Sequence, residues 1–364
     1  MADMAKQLHL EPAYLAYLTS AVQSGFIGGT LIFAILSIAD RFPPSRVFFA
    51  CAIIAAVVNL VISFNGLTTP LLIGIRFLTG FFLAGIYPVG MKIASDHYQQ
   101  GLGKSLGFLV GALVLGTAFP HLLKSVTANL PWRYVIFSTS ALAALGGIAM
   151  VLFVPDGPYR KAGQKLNFGG FLKSFGDSKF RSAAFGYFGH MWELYAFWVF
   201  VPVIITTYKT HHPDLTLNVP FLSFLMIASG SAACVLSGLI SQRIGVKKMA
   251  TIALTASCLC CLLSPLILSS APVVILLLFL FIWGMAVIAD SPLFSTMVAQ
   301  NAPQEWRGTS LTIVNCVGFA ITIVSIQLIN ALRTADNENY IYALLAIGPV
   351  LGLAALFSTK KTRA

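Results

Sequence analysis

The dominant pattern in this chain is a series of long apolar blocks joined by short polar connections. Eleven such blocks stand out, at roughly 14–39, 46–64, 70–93, 104–124, 132–154, 183–207, 219–242, 249–270, 272–297, 308–332 and 339–357. Each is long enough, coiled as a helix, to cross the hydrocarbon core of a bilayer. The pattern therefore predicts an all-α, polytopic membrane protein with 11 transmembrane helices, five before and six after the longest connection, 155–182. Composition strengthens this reading. The 364 residues are 57% hydrophobic and only 10% charged, whereas a soluble domain carries about 25% charged residues.

Charge changes the picture in one respect. The net charge of +11 would suit a nucleic-acid surface if it were clustered, but it alternates along the chain. One set of loops holds Arg41, Arg46, Lys104, Arg160, Lys161, Lys165, Lys173, Lys179, Arg181, Arg243, Lys247, Lys248, Arg307, Lys360, Lys361 and Arg363. The opposite set holds only Lys6, Lys124, Arg133, Lys209 and Arg333. Basic loops stay in the cytoplasm, so the C-terminus is expected inside and the N-terminus outside. The excess is a topology signal, and no nucleic-acid partner is expected. The opening MADMAKQLHLEP has no basic region followed by a short apolar core and a cleavage site, so no removable signal peptide is expected. The six cysteines all fall inside the apolar blocks and read as packing residues.

The two halves repeat one another. SIADRFPPSR (37–46) corresponds to GLISQRIGVKK (238–248), RFLTGFFLAGIYP (76–88) to FIWGMAVIADSP (281–292), and GKSL (103–106) to GTSL (308–311), at offsets of 202, 204 and 205. Repeats of this kind are characteristic of transporters built from two pseudo-symmetric bundles. The expected division is an N-terminal bundle over 1–154, a cytoplasmic linker over 155–182 and a C-terminal bundle over 183–364. The counterpart of the block at 183–207 would fall at about −20 to +3, so the first bundle is expected to lack its first helix. In the linker, Phe168, Phe171, Leu172 and Phe175 follow helical spacing beside Lys165, Lys173 and Lys179. This suits either a helix lying on the inner membrane surface or a solvated connection.

These motifs resemble those of the major facilitator superfamily. GLISQRIGVKK fits the family's G-x-L-x-D-R-x-G-R-K loop with Gln242 in place of the acid. SIADRFPPSR keeps Asp40 and Arg41 but has Pro43 for a glycine, and RFLTGFFLAG is similar to the fourth-helix pattern of proton-coupled members. The phrases IYPVGMKIA and GHMWELYAFW look like a bacterial branch of that superfamily. The resemblance implies a secondary transporter of the bacterial plasma (inner) membrane, moving a small solute by alternating access, with H+ as coupling ion and no cofactor. It also implies that Asp40, Arg41, Asp96 and Arg243 form cytoplasmic gating contacts that do not touch solute. With one wall of the cavity missing, a second expectation stays open: a non-transporting or truncated transporter-like membrane protein with a regulatory role or no independent role.

Inside the spans, polar residues are the candidates for chemistry. Glu193 lies about ten residues into its block, roughly 15 Å along a helix, where an ionised carboxylate is expensive and needs a partner or a wet cavity. His190 is one turn earlier on nearly the same face. A carboxyl and an imidazole together suit proton transfer, although a buried Glu193 bonded to backbone or to His190 would also serve structure. Trp192, Tyr195 and Trp198 either line a solute path or pack. Asp290 precedes Ser291 and Pro292; the proline frees the carbonyl of residue 288, and broken helices at membrane depth often line cavities. Arg76, with Gly80 one turn on, suits an anion or a nearby proton-carrying acid, or it snorkels outward. Tyr87, before Pro88, joins the candidate solute and proton pathway. No H-E-x-x-H or G-x-S-x-G is present, and GLGKS (101–105) has Tyr98 where a phosphate loop needs glycine. Neither an enzyme nor a metal site is expected.

Overall fold

The computed structural model describes residues 14–98, 102–126, 131–160, 172–303 and 307–358. Among them the chain forms helices and connections, with no strand: α1 Tyr14–Ile35, a short α2 Ile38–Arg41, α3 Pro44–Val61, α4 Thr69–Leu83, α5 Tyr87–His97, α6 Leu102–Val126, α7 Arg133–Phe153, α8 Ser178–His211, α9 Val219–Ile244, α10 Val246–Ser270, α11 Val273–Ala289, α12 Ser291–Asn301, α13 Arg307–Leu332, a 3-10 turn Ile341–Ala346 and α14 Ile347–Phe357. Among the described residues ten helical stretches are long and apolar enough to cross a membrane, and Ile341–Phe357 is a shorter eleventh. The eleven blocks read from the sequence thus reappear, the last with its first turns wound as 3-10 helix. Lys165, Phe168 and Phe171 of the expected surface helix lie outside the described residues, as does the side chain of Asp40.

Local chemistry sets the helix starts. Proline occupies one of the first two positions of α3, α4, α5, α9 and α12, where its missing N–H costs nothing. The Asp177 carboxylate caps α8 by accepting from Lys179 N at 2.6 Å and Phe180 N at 3.0 Å, and Asn218 caps α9 through Phe221 N at 3.1 Å. The helices then bury small or polar residues and turn large apolar ones outward. On α10, Ser257, Cys261 and Ser264 are buried while Leu259, Leu262, Leu263 and Leu266 are exposed. That inversion is what a lipid surroundings selects, because helix faces there associate by close packing of small groups.

The helices gather into two compact units. One draws on Met1–Ser105 and Val126–Asn167, the other on Leu106–Ser125 and Phe168–Ala364. In the first, α1 packs on α4, and α3 on α4, α5 and α7. In the second, α8 is the hub, packed by α9, α12, α13 and α14, while α11 lies against α9 and α10. The stretch Leu106–Ser125 of α6 groups with the second unit because Gly107 and Gly111 bring it onto the α9 backbone at Cys234 and Ser231.

The repeat holds at the level of atoms. A Cβ placed on Gly80 would sit 1.9 Å from the Val22 carbonyl oxygen, and one on Gly284 would sit 2.1 Å from that of Met226. Both pairs are displaced by the same 204 positions, so α1·α4 and α9·α11 are equivalent crossings in equal register. Each unit also breaks its second crossing partner at the same place. α4 stops at Leu83 and α5 starts at Tyr87–Pro88; α11 stops at Ala289 and α12 starts at Ser291–Pro292. In the second break Pro292 leaves the Ile288 carbonyl without its helical donor, and the Cys234 thiol approaches it at 3.5 Å.

Candidate functional site

The break between α11 and α12 carries Asp290, which is wholly buried. Its backbone carbonyl accepts from Leu293 N at 3.0 Å and Phe294 N at 2.9 Å, restarting the helix and fixing the side chain against α8. There His190 Nδ1 lies 2.7 Å from Asp290 Oδ1, with both side chains 1% exposed. The imidazole is held between two rings, with Tyr187 and Phe294 centroids each 6.1 Å away. Tyr187 in turn donates its hydroxyl to Asn315 Oδ1 of α13 at 2.5 Å. Two glycines make the arrangement possible: Gly186 leaves room for Phe294 and Gly318 for Tyr187. His190 Nε2 has no hydrogen-bond partner among the described residues, so the imidazole keeps one nitrogen open.

A methyl group on Gly318 would approach Tyr187 Cε1 to 2.5 Å and Met191 Cγ to 3.0 Å. Gly318→Ala should therefore push the Tyr187 ring off His190, at about 1–3 kcal/mol of overpacking. A lowered unfolding temperature together with loss of pH-gradient-driven transport checks it; a variant unchanged in both would show that the ring is not held by this glycine.

Glu193 is not part of this pair. Sequence spacing puts it one turn from His190, but the two side chains are still offset by about 60° around the helix and about 4.5 Å along it, enough to give them different neighbours. Glu193 is 1% exposed. It accepts from the Trp283 indole N–H of α11 at 2.6 Å and from the Ser257 hydroxyl of α10 at 2.9 Å, with the Cys261 thiol as a further partner. The expectation that Glu193 and His190 act on one another is corrected by this geometry: Asp290 is the partner of His190. Trp283, Ser257, Tyr187 and Asn315 were not anticipated, since nothing local in the sequence marks a residue whose partner lies 60 to 130 positions away.

The remaining candidates are spread out. Trp192 is half-buried and donates to the Leu344 carbonyl at 3.1 Å, with its Cβ against Gly348, so it fastens α8 to the final helix. The Tyr195 ring meets Trp198 edge-on at 5.1 Å and Phe319 at a tilt at 5.3 Å, and the buried Trp198 N–H has no partner among the described residues. In the first unit Tyr87 opens α5, half-buried, and Arg76 is half-buried in α4 with its Nε unpaired. Asp96 is buried and 3.6 Å from Lys92. Arg41 and Arg243 are exposed at helix ends. Among the described residues no cluster of three or more His, Cys, Asp or Glu could hold a metal ion, and all six cysteines are buried and free.

Two repeated helical units with a broken helix in each are the architecture characteristic of two-bundle membrane transporters. The chain belongs to the major facilitator superfamily, whose family model matches residues 1–326. Among solved structures the human organic anion transporter MFSD10 (TETRAN) is similar in fold, with a TM-score of 0.71 and 14% sequence identity over 97% of this chain and 87% of that one. A comparison with curated proteins gives no match. The chain is thus an integral membrane protein with the fold of a secondary transporter.

Proposed function

We propose that this protein is a proton-coupled secondary transporter that moves a small polar or anionic solute by alternating access. The observation that carries the reading is the His190–Asp290 pair, buried inside the second unit and placed at a helix break. An acid and a base at ion-pair distance can share one proton, accept a second or release one, and each step changes the charge in a region where charge is costly. Because Asp290 sits where α11 hands over to α12, a change in the angle of that break alters its distance to His190. Proton occupancy and helix position are thereby linked, which is what coupling requires. The alternation of basic loops supports a cytoplasmic C-terminus, and the resemblance of IYPVGMKIA and GHMWELYAFW to a bacterial branch of the family supports the plasma membrane of a bacterium. The solute reading draws on Arg76, and the fold neighbour's description as an organic anion transporter agrees with it.

The test uses the full chain in proteoliposomes with an imposed pH gradient and a set of labelled carboxylates, sugars and amino acids. Uptake of at least one solute should follow the gradient. Asp290→Asn, which keeps the shape and removes the ionisable group, should abolish gradient-driven uptake while solute exchange at equal pH continues. Gradient-driven uptake at the wild-type rate in that variant would overturn the assignment.

A further inference from the structure

The register of 204 positions allows the two units to be compared residue by residue, and their polar groups do not match. Where the second unit has Trp283 and Asp290, the first has Thr79 and Ile86. Where the first has Gln23 and Arg76, the second has Ile227 and Leu280, both fully buried apolar residues. The fold therefore does not need polarity at 23 or 76. Polar groups left unpaired in the interior of a membrane protein are costly, and the first unit carries that cost twice. Gln23 is 3% exposed, and neither its amide nitrogen nor its oxygen has a hydrogen-bond partner among the described residues; the Arg76 Nε is likewise unpaired.

The two side chains share a flank. α1 and α4 run parallel, since Val22 meets Gly80 and Gly29 meets Ala84. On α1 the contact line passes through Val22, Gly25 and Gly29; on α4 it passes through Phe77, Gly80, Phe81 and Ala84. At about 100° per residue, Gln23 stands about 125° from the first line and Arg76 about 90° from the second, in the senses that bring both to the same side of the helix pair. Thr30, 5% exposed with an unpaired hydroxyl, extends that side along α1.

We infer that the two units divide the work: Gln23 and Arg76 of the first unit recognise a small carboxylate solute, while the second unit carries the proton. A guanidinium presents N–H donors in a fork that matches a carboxylate. The Gln23 amide adds donors, and its oxygen accepts from a hydroxyl or amine beside the carboxylate. Gln23 is a specificity-determining residue on this reading, which rests on the transporter function proposed above. It does not depend on proton coupling, because binding is read without a gradient.

The experiment is thermal unfolding of the purified full chain in detergent with lactate, succinate or glutamate, and with inorganic phosphate, glucose and choline alongside. At least one of the three carboxylates should raise the unfolding temperature with a saturating dose dependence, and glucose and choline should not. Gln23→Leu and Arg76→Gln should each weaken the apparent affinity roughly ten-fold or more, as loss of a charge-assisted hydrogen bond does. If either fails to fold, Gln23→Asn and Arg76→Lys replace them, with the same direction and a smaller loss. Stabilisation by phosphate alone would overturn the carboxylate class. No stabilisation of the wild-type chain by any carboxylate, or equal affinity in the variants, would overturn the site. Proton-driven uptake failing while carboxylate binding stands would overturn only the coupling at His190 and Asp290.

Discussion

Gly284→Leu is expected to abolish the folded protein, and Gly80→Leu to do the same. At both positions even a Cβ would lie at 2.1 Å or less from a carbonyl oxygen of the facing helix, well inside van der Waals contact, and the obstacle is backbone that cannot rotate away. Overpacking that side chains can absorb costs about 1–3 kcal/mol. Here α9 and α11, or α1 and α4, must separate along their length, which undoes the close packing that holds membrane helices together. Fluorescence-detected size-exclusion chromatography of tagged variants checks it: the monodisperse peak should vanish for both. Gly116→Ala is the control, because a Cβ there meets nothing within 4 Å and alanine favours helix by up to about 1 kcal/mol. A normal peak for Gly284→Leu would mean that the crossing is looser than the register implies.

That crossing was half legible in the sequence. Gly80 and Gly284 mark the repeat because each stands eight residues before a proline, and it is the shared spacing that singles them out. The partners Val22 and Met226 carry no mark, since it is their backbone that is used. The spans were legible for the same physical reason that makes them spans: the bilayer imposes a minimum apolar length. Asp290 was legible as a charge beside a proline. What the sequence misassigned was its partner. His190 and Glu193 are neighbours along α8, and proximity in sequence suggests one unit of chemistry, but the turn of the helix sends one to α12 and the other to α10 and α11. Gln23 was invisible because an amide in an apolar run is unremarkable until the packing around it leaves its hydrogen bonds unmade.

Glu193→Ala is expected to destabilise the second unit on the order of 3–5 kcal/mol. Two terms contribute. The Trp283 N–H and the Ser257 hydroxyl lose a buried acceptor, at about 1–3 kcal/mol for each group left unsatisfied, and the space vacated adds a cavity. The Ser257 term is the smaller, because that hydroxyl also reaches the Leu254 carbonyl at 3.3 Å. Glu193→Gln should behave differently. Its amide oxygen can still accept from Trp283, so most of the stability should return, while the site can no longer ionise. Thermal unfolding of both variants, followed by gradient-driven uptake in proteoliposomes, separates structure from chemistry. If Glu193 only ties α8 to α10 and α11, Glu193→Gln unfolds near the wild-type temperature and transports near the wild-type rate, while Asp290→Asn does not transport. If Glu193→Gln is stable and yet loses uptake, the proton is carried by both carboxyls, and the Trp283 contact becomes the means by which α11 senses it. The distance favours the first outcome: an indole donor at 2.6 Å and a hydroxyl at 2.9 Å already occupy the carboxyl, whereas His190 keeps Nε2 without a hydrogen-bond partner among the described residues.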